Sequence, residues 1–293
     1  MKSHSGFTLI ELAIVLVIVT ILVGGLAVPL SAQIEARRIG ETRKTMEEAR
    51  ESLIGYAMSH PIASTCACAY AGGVLYPATS PGSLTTCPTS LCPKTSNAPL
   101  ELPFTRHHLP CPDLSGADPE PAINNDGVDG LTDLDNGVED RLGATPAVCA
   151  SFTGNLPWVT LATAAQDAWG NRLRYTVTPV YANSDTGFSN ADLGNKQICN
   201  TSAGGCAVGT VARDVPLVLV SYGPNGWGAR SVNNTNQAAP TSNDEIENTN
   251  LNDAYVSRPP SQLGAEGGEF DDLVVWLSSP LLFSRACPAD GCP

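Results

Sequence analysis

The N-terminal segment 1–30 constrains this chain more than any other part of it. A short polar leader ends at Gly6, and an apolar stretch runs from Phe7 to Leu30. At about 1.5 Å per residue, a helix over that stretch is long enough to span a bilayer. Its one ionisable side chain is Glu11, and a charge at membrane depth costs roughly 2.5–3.5 kcal/mol. We therefore expect Glu11 to pair with a cationic group.

Three interpretations fit such a segment. Its length alone is that of a transmembrane anchor. A secretory signal peptide would be cut after the small-x-small run Gly25-Leu26-Ala27, but the apolar region of such a peptide runs about 7–15 residues and lacks an acid. The third interpretation, which we favour, rests on the run Gly-Phe-Thr-Leu-Ile-Glu-Leu at residues 6–12. This run resembles, residue for residue, the leader junction of type IV pilins and pseudopilins.

The resemblance implies a route of processing and assembly. A prepilin peptidase would cut between Gly6 and Phe7, and the new amino group of Phe7 would be methylated. Glu11 would then face the amine of a neighbouring subunit, because opposite charges at low dielectric attract and offset each other's desolvation. The implied partners are other pilin or pseudopilin subunits, the prepilin peptidase, an inner-membrane assembly platform and membrane lipid.

The N-terminal helix is predicted to continue beyond the apolar stretch. Residues 31–60 are rich in Ala, Glu, Arg, Met and Leu, which favour helix. Ile39, Met46 and Leu53 recur every seven residues and predict a face buried against a folded head. Pro61 should end the helix, and Pro29 predicts a bend within it.

Ten cysteines indicate an oxidising compartment. An even number at short spacings, after a membrane-targeting segment, is typical of disulfides formed in a periplasm. Proximity favours three pairs, Cys199–Cys206, Cys287–Cys292 and then Cys111–Cys149. Three connectivities remain open for the other four, which are Cys66, Cys68, Cys87 and Cys92.

A metal cluster is the alternative for those four cysteines. His107 and His108 could assist it, since both follow the group in sequence. Zinc sites use C-x₂₋₄-C spacings, and this group does not show that spacing twice. We therefore favour disulfides.

One acidic segment, residues 124–140, has the composition of a calcium loop. Calcium takes six to eight oxygen ligands from a loop that glycines allow to curl. Oxygen-bearing side chains alternate here with three glycines, although the full EF-hand pattern is not met. The predicted ligands of a possible calcium ion are Asp126, Asp129, Asp133 and Asp135. A solvated acidic turn is the alternative.

The run Asp-Ala-Trp-Gly-Asn at residues 167–171 resembles a turn of pseudopilins and related minor pilins. Asp167 can cap this turn, Trp169 can bury its ring, and Gly170 can supply a positive φ. We interpret the motif as structural. No Gly-x-Ser-x-Gly, Gly-Lys-Ser/Thr or His-Glu-x-x-His pattern occurs in the sequence. We therefore expect no enzymatic activity.

Later segments predict a β-rich head. Residues 172–181, 217–222 and 273–277 have strand character, and residues 228–268 are polar, without a convincing period, and should form a long surface loop. The net charge of −13 argues against general nucleic-acid binding. We expect an α+β fold, in which a long helix packs on an antiparallel β-sheet head with long disulfide-stapled loops.

The expected organisation is a leader at 1–6, a helix at 7–60 and a globular head at 61–293. Within the helix, 7–30 would serve the membrane and assembly, and 31–60 would be amphipathic. The size favours a minor type IV pilin-like subunit, held in the inner membrane with a periplasmic head and later displayed on a pilus or pseudopilus. The alternatives are a type II secretion pseudopilin or a membrane-anchored periplasmic binding domain that never polymerises.

Overall fold

The computed structural model describes residues 8–62, 68–71, 74–77, 106–114, 135–141, 148–184, 186–265 and 267–287. For residues 23–30, 62, 68–71 and 74–77 it describes the backbone alone. Within these ranges the chain is a mixed α+β protein, as predicted.

A single helix, α1, runs from Leu9 to Ser59. Its N-cap is Thr8, whose side chain accepts a hydrogen bond from the backbone of Glu11 in a capping box. It ends one residue before the predicted boundary, where the His60 N–H donates to the carbonyl of Tyr56 at 3.0 Å. The helix does not end at Pro29, and the bend expected there stays a prediction.

The remaining elements are short strands and helices. The strands are β1 Pro61–Ile62, β2 Cys68–Ala71, β3 Val74–Pro77, β4 Arg106–His107, β5 Thr153–Asn155, β6 Arg174–Val177, β7 Lys196–Cys199, β8 Thr210–Val215, β9 Leu217–Ser221, β10 Ala254–Val256 and β11 Leu273–Leu277. The helices after α1 are α2 Trp158–Leu161, α3 Asn243–Thr249 and α4 Ser279–Ala286, and a 3₁₀ turn covers Pro179–Ala182.

The main sheet is antiparallel and has the order β11-β9-β6-β5. Its three longest strands occupy the predicted strand segments, because those segments are the apolar runs of the head. A second sheet has the order β10-β7-β8, with β10 parallel and β8 antiparallel to β7. Two further strand pairs, β1 with β4 and β2 with β3, are antiparallel.

The expectation that residues 228–268 form one long surface loop was wrong. This segment contains α3 and β10. Ser242 caps α3 through its side chain, and the buried Asn248 bonds the backbone of Val256 through both ends of its amide. Because polar contacts hold these elements, no apolar period reveals them.

The core joins α1 to the head. Met46, Ala49 and Leu53 are fully buried, and Ile39 packs at the edge of the same cluster. This face of α1 contacts β9, β11, α2 and α4. The predicted stripe of apolar residues at seven-residue intervals is therefore the face of α1 that the head covers.

Two disulfides with both partners in the described residues staple the head, Cys111–Cys149 and Cys199–Cys206. Both pairs are among those favoured by proximity. Cys287 is also disulfide-bonded, and its predicted partner Cys292 lies outside the described residues. The same is true of the side chains of Cys66, Cys68, Cys87 and Cys92.

Truncating the buried stripe should destabilise the attachment of the head. Leu53→Ala removes a fully buried side chain, and such changes cost about 2–5 kcal/mol. The matched control is Met58→Ala, since Met58 lies on α1 but is half exposed. Urea unfolding of the full chain in detergent, followed by tryptophan fluorescence, measures both. Equal losses for the two variants would contradict this assignment of the buried face.

The two disulfides should differ in their contribution to stability. The Cys111–Cys149 bond closes a separation of 38 residues, and the Cys199–Cys206 bond closes one of 7. Chain-entropy arguments predict about 4 kcal/mol for the first and about 2 kcal/mol for the second. Replacing each pair by serine and measuring the urea midpoint tests this order. A larger loss from the shorter loop would contradict it.

Candidate functional site

The candidate functional site is the start of α1 together with its junction to the head. Glu11 lies in the first turn of the helix. Its Oε2 atom accepts hydrogen bonds from the Thr8 backbone N at 2.9 Å and from Thr8 Oγ1 at 2.8 Å. The carboxylate is thus satisfied locally in the isolated chain. Gly6 and Phe7, the predicted processing residues, lie outside the described residues.

An apolar surface covers the first part of α1. The large apolar side chains between Leu9 and Leu22 are 49% to 86% exposed. Exposed apolar surfaces of this extent mark contacts with a protein or a membrane. Within the described residues, no helix is both long and apolar enough to qualify as a membrane span.

Charged side chains follow on the middle of α1. Arg37 pairs with Glu41 at 2.9 Å, and Lys44 pairs with Glu48 at 3.5 Å, one helical turn apart in each case. These four side chains are more than half exposed. Such pairs contribute little to stability. They give this stretch of the helix a polar, solvent-exposed surface.

A polar junction fixes the end of α1 to the head. Tyr56 donates its hydroxyl hydrogen to Glu139 Oε1 at 2.8 Å. The other oxygen of Glu139 accepts from the backbone N of Cys111 at 2.8 Å and pairs with Arg141 at 2.9 Å. One carboxylate therefore links the helix to Cys111 and to Arg141 of the head. The sequence does not reveal this role of Glu139, because Tyr56 and Cys111 lie far from it along the chain.

Two histidines complete the junction. His107 Nδ1 is 2.7 Å from the carbonyl oxygen of Ala57, and His108 lies edge-on to the ring of Tyr56. Burial, assisted by the nearby charge of Arg141, lowers the pKa of His108 to about 4. Both rings thus belong to the packing of α1 on the head. Their suggested role beside Cys66, Cys68, Cys87 and Cys92 involves residues whose side chains are not described.

The predicted calcium ligand Asp135 is buried in an ion pair. Its Oδ2 atom is 2.8 Å from Arg172 Nε, and its Oδ1 atom accepts from Asn155 Nδ2 at 2.9 Å. Both carboxylate oxygens are therefore used by protein donors. Asp126, Asp129 and Asp133 lie outside the described residues, and calcium binding by this segment stays a prediction.

The turn at 167–171 has the local geometry expected of it. Asp167 Oδ1 accepts from the backbone N atoms of Trp169 and Asn171, each at 2.9 Å, and Gly170 has φ +87°. The backbone N of Ala168 donates to Thr42 on α1 at 3.1 Å. The turn therefore also helps to seat the head on the helix.

Comparison with known proteins identifies the N-terminal segment. Residues 1–27 match the family model for the prokaryotic N-terminal methylation motif. No curated protein and no solved structure matches the chain. The chain thus carries a type IV pilin-like prepilin signal, followed in the structure by a long helix and an α+β head.

Acidification should weaken the junction through His108. A histidine whose pKa is about 4 when folded and about 6.5 when unfolded binds its proton more readily in the unfolded chain. Stability is therefore lost as the pH falls from about 6.5 to about 4, by about 3 kcal/mol at most. The His108→Gln variant has no imidazole to protonate at this position. The difference in free energy of unfolding between wild type and variant should therefore change with pH in that window. Urea midpoints at pH 7.5 and pH 5 measure it, and a difference independent of pH would contradict the proposed titration.

Proposed function

We propose that this chain is a type IV pilin-like subunit that is cut by a prepilin peptidase between Gly6 and Phe7 and assembled through α1 into a pilus or pseudopilus. The match of residues 1–27 to the N-terminal methylation motif carries the proposal. A structural role of this kind needs no catalytic residues. The size of the chain favours a minor subunit.

The proposed organisation follows the sequence boundaries. Residues 1–6 are the leader, 7–30 insert into the inner membrane and later into the filament core, 31–60 carry the head, and 61–293 form it. Before assembly the head would lie in the periplasm, where its disulfides form. The proposed partners are other subunits with the same helix, the peptidase, the assembly platform and lipid.

The exposed surface of α1 supports assembly through this helix. The apolar side chains between Leu9 and Leu22 have no cover in the single chain, and helices of neighbouring copies would provide it. Glu11 is the only charged group in that region. In the proposed filament, its carboxylate exchanges the Thr8 hydrogen bonds for the Phe7 amine of a neighbour, because a charge-assisted contact is stronger than a neutral one.

Removing this carboxylate should separate insertion from assembly. We expect Glu11→Ala to enter the membrane as wild type does, since a charge is lost from an apolar helix, and to be absent from filaments. The matched control is Glu41→Ala, which removes an exposed acid of α1 outside the apolar region. Quantitative blotting of membrane and sheared surface fractions gives the ratio of assembled to inserted protein.

The alternatives give different results in the same experiment. Wild-type chain absent from every sheared fraction, with leader removal intact by mass spectrometry, would favour a membrane-anchored domain that does not polymerise. Filaments that form only with a secretion apparatus would favour a type II pseudopilin. Normal incorporation of the Glu11→Ala variant would contradict the role of Glu11. An intact mass that retains residues 1–6 would contradict the processing step.

A further inference from the structure

A polar cavity in the head collects positive charge. Its volume is about 340 Å³, and small-molecule sites span roughly 300–1,000 Å³. Residues of β5, of β6, of the loop around Arg230 and of the end of α3 line it. Three of the described lining residues are arginines, and none is acidic. In a chain with a net charge of −13, the cavity is thus a local reversal of charge that attracts anions.

The cavity lies on the face of the main sheet that α1 does not cover. Tyr175 of β6 belongs to the core cluster that contains Met46 of α1. Its neighbour Arg174 pairs in register with Val220, which belongs to a second cluster of buried residues. Because successive side chains of a strand alternate between the two faces, Arg174 and Tyr175 lie on opposite sides. Arg174 therefore lines the cavity from the side away from the helix.

Backbone carbonyls at the end of α3 position Arg174. Its Nη1 atom donates to the carbonyl oxygen of Thr249 at 2.9 Å, and its Nη2 atom donates to that of Asn250 at 2.8 Å. The hydroxyl oxygen of Tyr222 lies 3.0 Å from Nη1. These neutral oxygens fix the guanidinium at the cavity, and bonds to neutral oxygens leave its positive charge in place.

A second arginine, Arg230, is also positioned by neutral acceptors. Its Nη1 atom donates to the amide oxygen of Asn234, and its Nη2 atom donates to that of Asn236 at 2.9 Å. It forms no ion pair with any described residue. A guanidinium is not deprotonated in proteins. Arg230 thus carries a full charge that no described carboxylate meets in direct contact.

The third arginine, Arg172, is compensated within the protein. Its Nε atom lies 2.8 Å from Oδ2 of Asp135, and its guanidinium carbon lies 3.8 Å from the centroid of the Trp158 ring. The backbone N of Arg172 donates to the carbonyl oxygen of Arg230 at 2.7 Å. This residue therefore shapes the cavity, whereas Arg174 and Arg230 supply its positive charge.

A glycine allows the loop around Arg230 to pass close to α3. Gly228 has φ +84°, and a Cβ atom there would lie 2.3 Å from Cγ2 of Thr249. Glycine is therefore required at this point. Gly228 and Thr249 both line the cavity, so their contact fixes its shape. A site that is shaped before binding loses less conformational freedom when a ligand enters.

The rest of the lining suits a hydroxylated ligand. It includes five side chains with a hydroxyl or amide group, which are Thr153, Asn155, Tyr222, Asn236 and Thr249. Groups of these types both donate and accept hydrogen bonds, as sugar hydroxyls do. Leu251 is 76% exposed and also lines the cavity. It offers apolar surface for the C–H face of a sugar ring.

We propose that this cavity binds an anionic saccharide, a sugar ring that carries a carboxylate or a phosphate. The guanidinium fork matches the geometry of both anions, and the hydroxyl and amide side chains would bind the ring hydroxyls. A bare inorganic anion would leave that polar lining unused. A neutral sugar would leave the charge of Arg230 unmatched.

This inference concerns the head alone. The apolar surface proposed for assembly lies between Leu9 and Leu22 of α1, and the cavity lies on the sheet face that α1 does not cover. Binding therefore requires neither filaments nor removal of the leader. The two proposals can fail independently of each other.

Calorimetric titration of the full chain tests the proposal. The chain is purified in a detergent without a sugar headgroup and in a buffer without phosphate. The probes are glucuronate, galacturonate and glucose 6-phosphate, compared with glucose and inorganic phosphate. At least one anionic sugar should bind about 10-fold or more tightly than both comparison compounds. A preference for the uronates would identify the anion as a carboxylate, and a preference for glucose 6-phosphate would identify it as a phosphate.

Variants locate the site. Arg230→Gln removes the charge and should weaken binding roughly 10–100-fold, the effect of losing a charge-assisted hydrogen bond. The control is Arg213→Gln, which removes an exposed arginine of β8 that contacts Thr210 at 3.0 Å and does not line the cavity. It should bind as wild type does. If Arg230→Gln does not fold, wild-type titrations at low and high salt replace it, because salt screens charges that solvent reaches.

Several results would overturn the proposal. The first is the absence of binding by all three anionic sugars. Glucose that binds as tightly as they do would show that charge plays no part, and inorganic phosphate that does so would show that the ring is not recognised. An Arg230→Gln variant that binds like Arg213→Gln, or an affinity that salt leaves unchanged, would also contradict it.

Discussion

The burial of one face of α1 is the constraint on which the rest of the structure depends. The same helix leaves its first turns exposed and places Met46, Ala49 and Leu53 in the core of the head. A long helix with few tertiary contacts gains little from its own hydrogen bonds in water. The buried face therefore holds the helix to the head, and the exposed face remains available for another partner. The first turns of α1 are thus exposed in the single chain, whereas its second half is covered by the head on one face.

Polar contacts add to the apolar contact between α1 and the head. Thr42 receives a hydrogen bond from the turn at 167–171, and Tyr56 donates one to Glu139. Directional bonds of this kind fix rotation and register, which apolar burial alone leaves loose. The Cys111–Cys149 disulfide closes the chain segment that contains Glu139, the acceptor of the Tyr56 hydroxyl. Orientation of the head on the helix is therefore set by a few polar groups around a larger apolar contact.

The sequence predicted those parts of the fold that carry a local periodic signal. The apolar residues spaced seven apart predicted the buried face of α1. The apolar run at 273–277 predicted β11 with the bounds that are observed. The sequence failed to predict α3 and β10, since the Asn248 side chain holds them through polar contacts with Val256 and Asp272, which leave no apolar period in the sequence. The sequence also did not reveal the cluster of Glu245, Asp271 and Asp272, whose carboxylate oxygens lie within 4.8 Å of one another. Asp271 and Asp272 are adjacent in sequence, but Glu245 joins them only after folding.

Compensation of buried charge distinguishes the carboxylates of the head from one another. Asp135 meets Arg172, Glu139 meets Arg141, and Asp244 meets Arg258, each within 2.9 Å. Asp167 achieves the same end with backbone N–H groups and a serine hydroxyl. In a chain with a net charge of −13, basic side chains are too few to neutralise every acid. Where no arginine lies close, a buried acid of the head relies on amide donors instead, as Asp272 does when its Oδ2 atom accepts from Asn248 Nδ2 at 2.8 Å.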